Sequence, residues 1–427
     1  MADPATAPPD ELRPEIALGP QPERALQLLK RPAFRVVYAA VVASELGDAF
    51  QYVGLMWMAL IAGGPLGVIA VRLADSVPAL VFGFHGGVLA DRLERRRLMI
   101  AADVLRAGVL IPVSIAALAG DLPLWALVVA AFLLTTGASY FDPAYGALLP
   151  GLVDRSNVQQ ANGLVRSTAD AATVAGWAAA AGLLAVVPLG TFFAINAASF
   201  VISAALVARV ARPIGRVAHH HAEAPRVRDG FAALRPLPVL ALAVLLFGVC
   251  VTLSSGTWIV GVPQLVRKAL GHGAGAFSLV AASYALGSVV AGLVLARWRI
   301  RRKALVGIAA WMVYLPAYGL FAVAHSLGTA VAAGALCGIG QGSAWVLVNA
   351  AAQEEVPDRV LGRVMGLISL VHRGAHATGL LFVSPLFAVV AARAVFGAAG
   401  ITLAGIGALG TAFALALDRR QRAAFSN

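Results

Sequence analysis

Charge is scarce in this chain. Of its 427 residues only 13% are Asp, Glu, Lys or Arg, roughly half of the about 25% usual in soluble domains. Cysteine is scarcer still, at two residues. Cys250 and Cys337 both sit in apolar runs, which excludes a disulfide scaffold and reads as two small hydrophobes, not a redox or metal pair. Lysine is confined to Lys30, Lys268 and Lys303, so nearly all positive charge is arginine; with the heavy Ala and Gly usage this points to a GC-rich bacterial coding sequence. No apolar stretch of the secretory-signal type lies within residues 1–32, and no Gly-x-x-x-x-Gly-Lys-Ser/Thr loop occurs, so direct ATP drive is not supported. What remains is apolar: 60% of residues are hydrophobic and the mean hydropathy is +0.82. Water is not the solvent for such a surface.

The net charge of +12 would suggest nucleic acid in a soluble protein. Here the arginines gather in short breaks between apolar runs, which is a topology signal and not a nucleic-acid surface. Because about 20 apolar residues cross the hydrocarbon, the sequence predicts twelve spans: 35–61, 65–90, 98–119, 123–149, 160–187, 189–210, 237–262, 276–297, 303–325, 328–351, 362–389 and 394–417. Runs this apolar are helices and not half-polar barrel strands. The fold class is therefore all-α membrane protein. The basic breaks 91–97, 209–235, 297–303, 359–363 and 419–422 fall on one side with the amino terminus. Both termini are thus expected to be cytoplasmic. The boundaries read as a tail 1–34, a first six-helix bundle 35–210, a linker 211–236, a second bundle 237–417 and a tail 418–427. The linker run His219-His220-His221 reads as solvated chain, with metal binding the lesser alternative.

An internal repeat supports the two bundles. Gly87-Val88-Leu89-Ala90-Asp91-Arg92-Leu93-Glu94-Arg95-Arg96-Arg97 follows the second span. Gly292-Leu293-Val294-Leu295-Ala296-Arg297-Trp298-Arg299-Ile300-Arg301-Arg302 follows the eighth. Parallel six-helix halves of this kind place a substrate site at their interface near the midplane.

On these residues the chain resembles the major facilitator superfamily, whose signature Gly-x-x-x-Asp-Arg-x-Gly-Arg-Arg the first copy matches with Glu94 at the second glycine. Ser44-Glu45-Leu46-Gly47-Asp48, Phe141-Asp142-Pro143-Ala144, Ala147-Leu148-Leu149-Pro150, Ala161-Asn162-Gly163-Leu164 and the stretch Gln353–Val364 resemble its drug and siderophore exporter branch, typified by the enterobactin exporter and macrolide efflux proteins. Two features depart from the pattern: Gly176 is followed by Trp177 and an alanine run, not a Gly-Pro-rich fifth span, and the Arg-x-x-x-Gln-Gly pattern of the fourth span is absent. The resemblance implies twelve helices in two halves working by alternating access. It also implies that Asp91 sits against the start of the eleventh span near Gly362 and Arg363, latching the halves. A carboxylate at a helix amino terminus is favoured by the macrodipole. Gly87, Arg92, Arg95 and Arg96 belong to the same latch, with the arginines expected to pair with acids such as Asp103 or Glu354 and to touch anionic lipid. Asp103 and Arg106, i,i+3 at the start of the third span, fit that network.

Ionised groups near the bilayer centre cost several kcal/mol, so each needs a partner or a watery cavity. Glu45 and Asp48 share one helical face, extended by Gln51 and Tyr52. They lie roughly 15–20 Å into the first span at about 1.5 Å per residue. Two carboxylates this close oppose each other's ionisation, so one can load and release a proton. Asp48, assisted by Glu45, is the expected carrier of a coupling proton or substrate cation; a structural hydrogen bond or salt bridge is the alternative. Asp142 lies beside Pro143, which removes a helix donor; it lines the cavity or packs it. Arg166 with Asp170, and Arg72 with Asp75, read as intrahelical ion pairs. In the eleventh span His372, Arg373 and His376 sit at mid-depth, and the His pair is a second proton-site candidate or a buried hydrogen-bonded pair. Gln341, Trp345 and Asn349 share a face of the tenth span, and Ser254, Ser255, Thr257 and Trp258 cluster in the seventh. These groups suit an aromatic or amphipathic substrate and equally suit helix packing. No catalytic residue, metal site or cofactor is expected.

The sequence thus predicts a monomeric transporter of the bacterial cytoplasmic (inner) membrane, an exporter that moves a small amphipathic molecule against protons. A facilitator or importer of a small polar nutrient and a lipid or lysolipid translocase are its rivals.

Overall fold

The computed structural model describes residues 25–154, 157–210, 227–298 and 300–426. A 3-10 turn, Ala25–Lys30, precedes α1 (Pro32–Arg92), which has proline at its first helical position; proline's fixed φ suits that place and its missing N–H costs nothing there. α2 (Arg95–Ala119), α3 (Leu124–Leu148), α4 (Val158–Leu183) and α5 (Thr191–Ala208) follow. After α6 (Val227–Leu234) come α7 (Pro238–Gln264) and α8 (Ala274–Arg297), then α9 (Lys303–Ala309) and α10 (Tyr314–Ala322). α11 (Leu327–Glu355), α12 (Asp358–Phe382), α13 (Leu386–Val389) and α14 (Ala392–Ser426) close the chain. Both cysteines are buried and free.

Several boundaries depart from expectation for identifiable reasons. The first two predicted spans form one helical run without an intervening loop. The chain reverses at Gly64, with φ 59° and ψ −150°, a conformation that only glycine adopts at no steric cost, and Pro65 restarts the helix at once. The ninth predicted span is split by a 3-10 turn, Ala310–Val313. The eleventh is interrupted after Phe382, before Pro385, whose missing N–H and ring oppose continuation. α14 continues to Ser426, through the stretch expected as a tail.

Among the described residues nine helices are long and apolar enough to cross a membrane. α1 counts once among them although it is two spans long. α4 and α12 are not among the nine. They carry Arg166 and Asp170, and Arg363, His372, Arg373 and His376, respectively. Both helices thus carry charged or titratable side chains along their length.

α1 packs on α3, α4 and α5, and α2 on α3 and α5; further along, α8 packs on α11, α7 on α12 and α14, and α10 on α14 and α11. The two groups meet through α4 against α8 and through α1 against α7, α8 and α12. Small residues permit the tightest of these contacts, as is usual for helices in membranes. A Cβ on Gly338 would lie 1.8 Å from the Tyr284 carbonyl oxygen, and one on Gly287 2.1 Å from that of Ala335. Gly338→Ala is therefore expected to force α8 and α11 apart at about 1–3 kcal/mol, read as a lower thermal unfolding midpoint in detergent. Gly366→Ala, where a Cβ meets nothing within 4 Å, serves as the control and should hold or raise the midpoint. Equal midpoints would show that the two helices can separate at no cost.

The first turn of the chain is tied down from outside the spans. Arg31 pairs with Asp154 in the loop after α3, and the Arg31 guanidinium holds the Asp154 carboxyl below its ordinary value of 3.8. A depressed carboxylate contributes stability that is fully present above the unfolded value and is lost as pH falls through the folded one. Protection factors of the amides over the turn 28–35, corrected for the intrinsic exchange rate at each pH, should accordingly be unchanged between pH 7 and 5 and fall only below about 4. The pair is solvent-exposed, so the effect is small; lost protection already at pH 6 would assign the tie to another group.

Candidate functional site

The polar face of α1 meets α5. Asn196 of α5 is fully buried, and its Nδ2 donates to Asp48 Oδ1 at 2.9 Å and to Gln51 Oε1 at 2.6 Å. Its own Oδ1 accepts from the Ser199 hydroxyl at 2.7 Å. Gly47 makes the contact possible: a Cβ there would fall 2.2 Å from Asn196 Oδ1 and 2.4 Å from Ser199 Oγ. Sequence reasoning found Asp48 and Gln51 but missed Asn196. The signal was present, because an asparagine inside an apolar span needs a hydrogen-bonding partner.

Around this network lies a group of charges from five helices. Glu45, half-buried, faces Asp48, Arg166, Asp142 and Asp170. Asp48 also faces Arg106, Asp142 and Asp103. Asp142 of α3 faces Arg106 of α2 and, across the two groups of helices, Arg373 of α12. The ion pairs expected within helices are present: Arg72 to Asp75 at 2.6 Å and Arg166 to Asp170 at 3.1 Å. Asp75 also accepts from Thr135.

The pairings expected around the signature turn need correction. Asp103 and Arg106 are buried and pair with each other. The Arg106 guanidinium also sits 4.7 Å from the Phe141 ring centre and 4.2 Å from that of Phe200. Neither residue partners the loop arginines. Arg95 donates instead to the Ala147 carbonyl at 2.7 Å, and Arg96 to the carbonyls of Ala208 and Val210 at 3.1 and 3.0 Å. The ends of α3 and α5 leave carbonyls without helical partners, which makes them the natural acceptors. Arg96 further pairs with Glu94 at 3.3 Å, and Glu354 pairs with Lys303 at 2.6 Å. Arg92 and Arg363 are exposed. Gly87 and Asp91 fall in the last turns of α1, and Gly362 in the first turns of α12; what surrounds these three lies outside the described residues, as does the run His219–His221.

In the second group of helices, His372 and His376 place their Nε2 atoms 3.2 Å apart with rings at 88°. An N–H···N bond between them uses one proton. Trp345 and Phe247 pack against His372 at ring distances of 4.8 and 5.7 Å. The Asn349 amide donates back to the Trp345 carbonyl one turn earlier at 2.8 Å. Trp258, Gln341 and His376 do come together: with Ser254, Ser255 and Tyr284 they line a small cavity of about 40 Å³. Tyr314 donates to Gln341 Oε1 at 3.3 Å. None of the α1 carboxylates lines this cavity.

The two groups of helices touch on the side of Gly64, away from the Arg92–Arg95 turn. Arg267 donates to the Leu60 carbonyl at 2.8 Å, and Ser278 to the Trp177 carbonyl at 2.8 Å. Trp57 stacks on Phe277 at 6.1 Å, and Tyr52 lies 6.3 Å from the same ring. Among the described residues no group of three or more His, Cys, Asp or Glu side chains could hold a metal ion.

A family model described as transmembrane secretion effector matches residues 24–424. The chain is 30% identical over 171 residues to macrolide efflux protein A of Enterococcus faecalis, covering 39% of this chain and 53% of that protein. It is 28% identical over 181 residues to macrolide efflux protein A of Streptococcus pyogenes, covering 42% and 45%. The chain thus spans about half the length of the curated relatives it matches. Among solved structures a point mutant of the nucleoside transporter NupG superposes with a TM-score of 0.68 at 12% identity, over 92% of this chain and 99% of that one. At that identity the likeness concerns the fold.

Proposed function

Because the chain belongs to the transmembrane secretion effector family of the major facilitator superfamily, and so to membrane transporters and not enzymes, we propose that it is a proton-coupled exporter of a small amphipathic molecule. Two six-helix halves, 35–210 and 237–417, joined by 211–236, rock about a central site to give alternating access. The exporter works as a monomer in the bacterial cytoplasmic membrane with both termini inside. The relatives named for macrolide efflux support export and a bulky amphipathic cargo.

One observation carries the coupling: Asp48, deep in α1, is held by Asn196 at Oδ1, and among the described residues no side chain binds its other oxygen. The amide fixes Oδ1 and favours the ionised carboxylate; Oδ2 is then the atom at which a proton binds. Glu45 and Asp142 oppose a further negative charge there, whereas Arg106 favours it. A site balanced in this way exchanges its proton for a cationic group when the cavity changes sides. By family resemblance the Asp91–Gly362–Arg363 contact latches the state open to the outside. The contacts made by Arg267 and Ser278 close the opposite one.

A pH difference of one unit supplies about 1.4 kcal/mol per proton, equivalent to about tenfold accumulation at one proton per substrate. In proteoliposomes with an imposed pH gradient and a panel of macrolides and amphipathic dyes, flux should rise with the gradient and collapse when a protonophore is added. Flux indifferent to the protonophore would replace this reading with a facilitator.

A further inference from the structure

We infer that the Phe277 ring of α8, seated against Tyr52 and Trp57 of α1, is a stopper that bars water and protons from the Gly64 side while the opposite side is open. The inference rests on the transporter reading and adds the residues that would keep it free of leak.

Position comes first. Tyr52 stands one helical turn beyond Asp48 towards Gly64, with Trp57 and Leu60 further along. At about 1.5 Å per residue, the stretch from Tyr52 to Leu60 is roughly 12 Å long. A water path from the Gly64 side to the Asp48 carboxylate, running between the halves, has to pass it. Phe277, with only 1% of its surface exposed, enters there from the second group of helices. Its ring centre lies 6.1 Å from that of Trp57, stacked at 23°, and 6.3 Å from that of Tyr52.

The departure at Gly176-Trp177 gains a task in this arrangement. A Cβ on Gly176 would fall 2.5 Å from that of Ala49, so its absence lets α4 close on α1. The next residue then backs Tyr52 with its indole, at a ring distance of 5.3 Å. A Gly-Pro pair at this place supplies no such ring.

The chemistry of the walls suits a dry barrier. The stretches 52–60, 171–183 and 274–282 contain no Asp, Glu, Lys, Arg or His. The charges that Tyr52 faces, Arg72 and Asp75, neutralise each other in an ion pair at 2.6 Å. Protons travel along hydrogen-bonded water, and a narrow passage with apolar walls sheds such a chain. The hydrogen bonds between the halves set the register of the rings. Ser278, next to Phe277, donates to the Trp177 carbonyl, and Arg267 to that of Leu60. The seal also remains able to open: Trp177 Nε1 is buried without a hydrogen-bond partner among the described residues, an unmet donor that water satisfies once the halves part.

The test is proton leak into proteoliposomes enclosing a pH-sensitive dye, with a pH step imposed, the membrane potential clamped by valinomycin and potassium, and no cargo added. Wild-type vesicles should lose the step no faster than protein-free ones. Phe277→Ala should speed the loss by at least about tenfold, a barrier lower by about 1.4 kcal/mol, and Phe277→Leu by less. Phe396→Ala makes the same truncation of a fully buried ring inside the second group and should stay tight. Arg267→Gln with Ser278→Ala removes the hydrogen bonds but keeps the rings, and should also stay tight. A wild type that leaks overturns the stopper whether or not any variant folds. So does a well-folded Phe277→Ala that stays tight, or a Phe396→Ala that leaks equally. If Phe277→Ala does not fold, Phe277→Leu decides, and a tight Phe277→Leu then overturns the stopper. Because leak is read without cargo, a leaky Phe277→Ala in a protein with no gradient-driven flux would sink the coupling and leave the stopper standing; gradient-driven flux with a tight Phe277→Ala would do the reverse.

Discussion

Arg106→Ala is expected to destabilise the protein by about 3–5 kcal/mol, among the largest effects of any single substitution in the chain. Its partner Asp103 has no exposed surface and Arg106 only 5%, so truncating the arginine strands a carboxylate away from water. The substitution also removes the cation held between Phe141 and Phe200, worth about 2 kcal/mol when desolvated. Replacing both members, Asp103→Leu with Arg106→Met, should recover most of the loss, because apolar residues of similar volume often match a buried ion pair. A double-mutant cycle on unfolding in detergent separates these contributions. If Arg106→Ala unfolds like the wild type, the pair is solvated in the folded protein and its burial is wrong. Recovery of stability without recovery of transport would give Arg106 a second task, since its charge also faces Asp48 and Asp142.

Asp48→Asn is expected to abolish the dependence of flux on the pH gradient while leaving the fold intact. The substitution is nearly isosteric, and an amide oxygen at position 48 can still accept from Asn196 Nδ2, now at 2.9 Å. What it removes is the proton site. Accumulation should drop from about tenfold per pH unit to the level set by downhill exchange, which persists. The paired control is His372→Gln with His376→Gln, which removes the second proton candidate and should leave gradient-driven flux largely in place. The reverse pattern, with flux lost in the histidine variant and retained in Asp48→Asn, would move the coupling proton to α12. These two variants separate the sites because the carboxylate and the histidines sit in different halves.

The helices were legible in the sequence because they follow from solvent. Apolar runs of span length must be helices in hydrocarbon. Short-range pairs were legible for a similar reason: residues three or four apart share a helical face whatever surrounds the helix. Arg72 with Asp75 and Arg166 with Asp170 emerge as the expected ion pairs, whereas Asp103, expected to meet the loop arginines, pairs with Arg106 instead. The turn at Gly63-Gly64-Pro65 was visible too, though not that it would join two spans into one helical run. The direction of the signature arginines was not visible. Arg95 and Arg96 bind backbone carbonyls, acceptors that every helix end supplies and that no side-chain pattern marks.

By itself, then, the sequence determined the solvent, the helices and the faces on which polar residues stand, because each depends on local chemistry and periodicity. Only the tertiary structure decided which faces meet. Asn196 reaches Asp48 and Gln51 because Gly47 lacks a Cβ. Trp258, Gln341 and His376 converge on one cavity, while Trp345 packs on His372 and Asn349 binds its own helix backbone. Those outcomes depend on the rotation and separation of helices far apart in the chain. They are set by side-chain packing between helices, which the periodicity within any one of them does not contain.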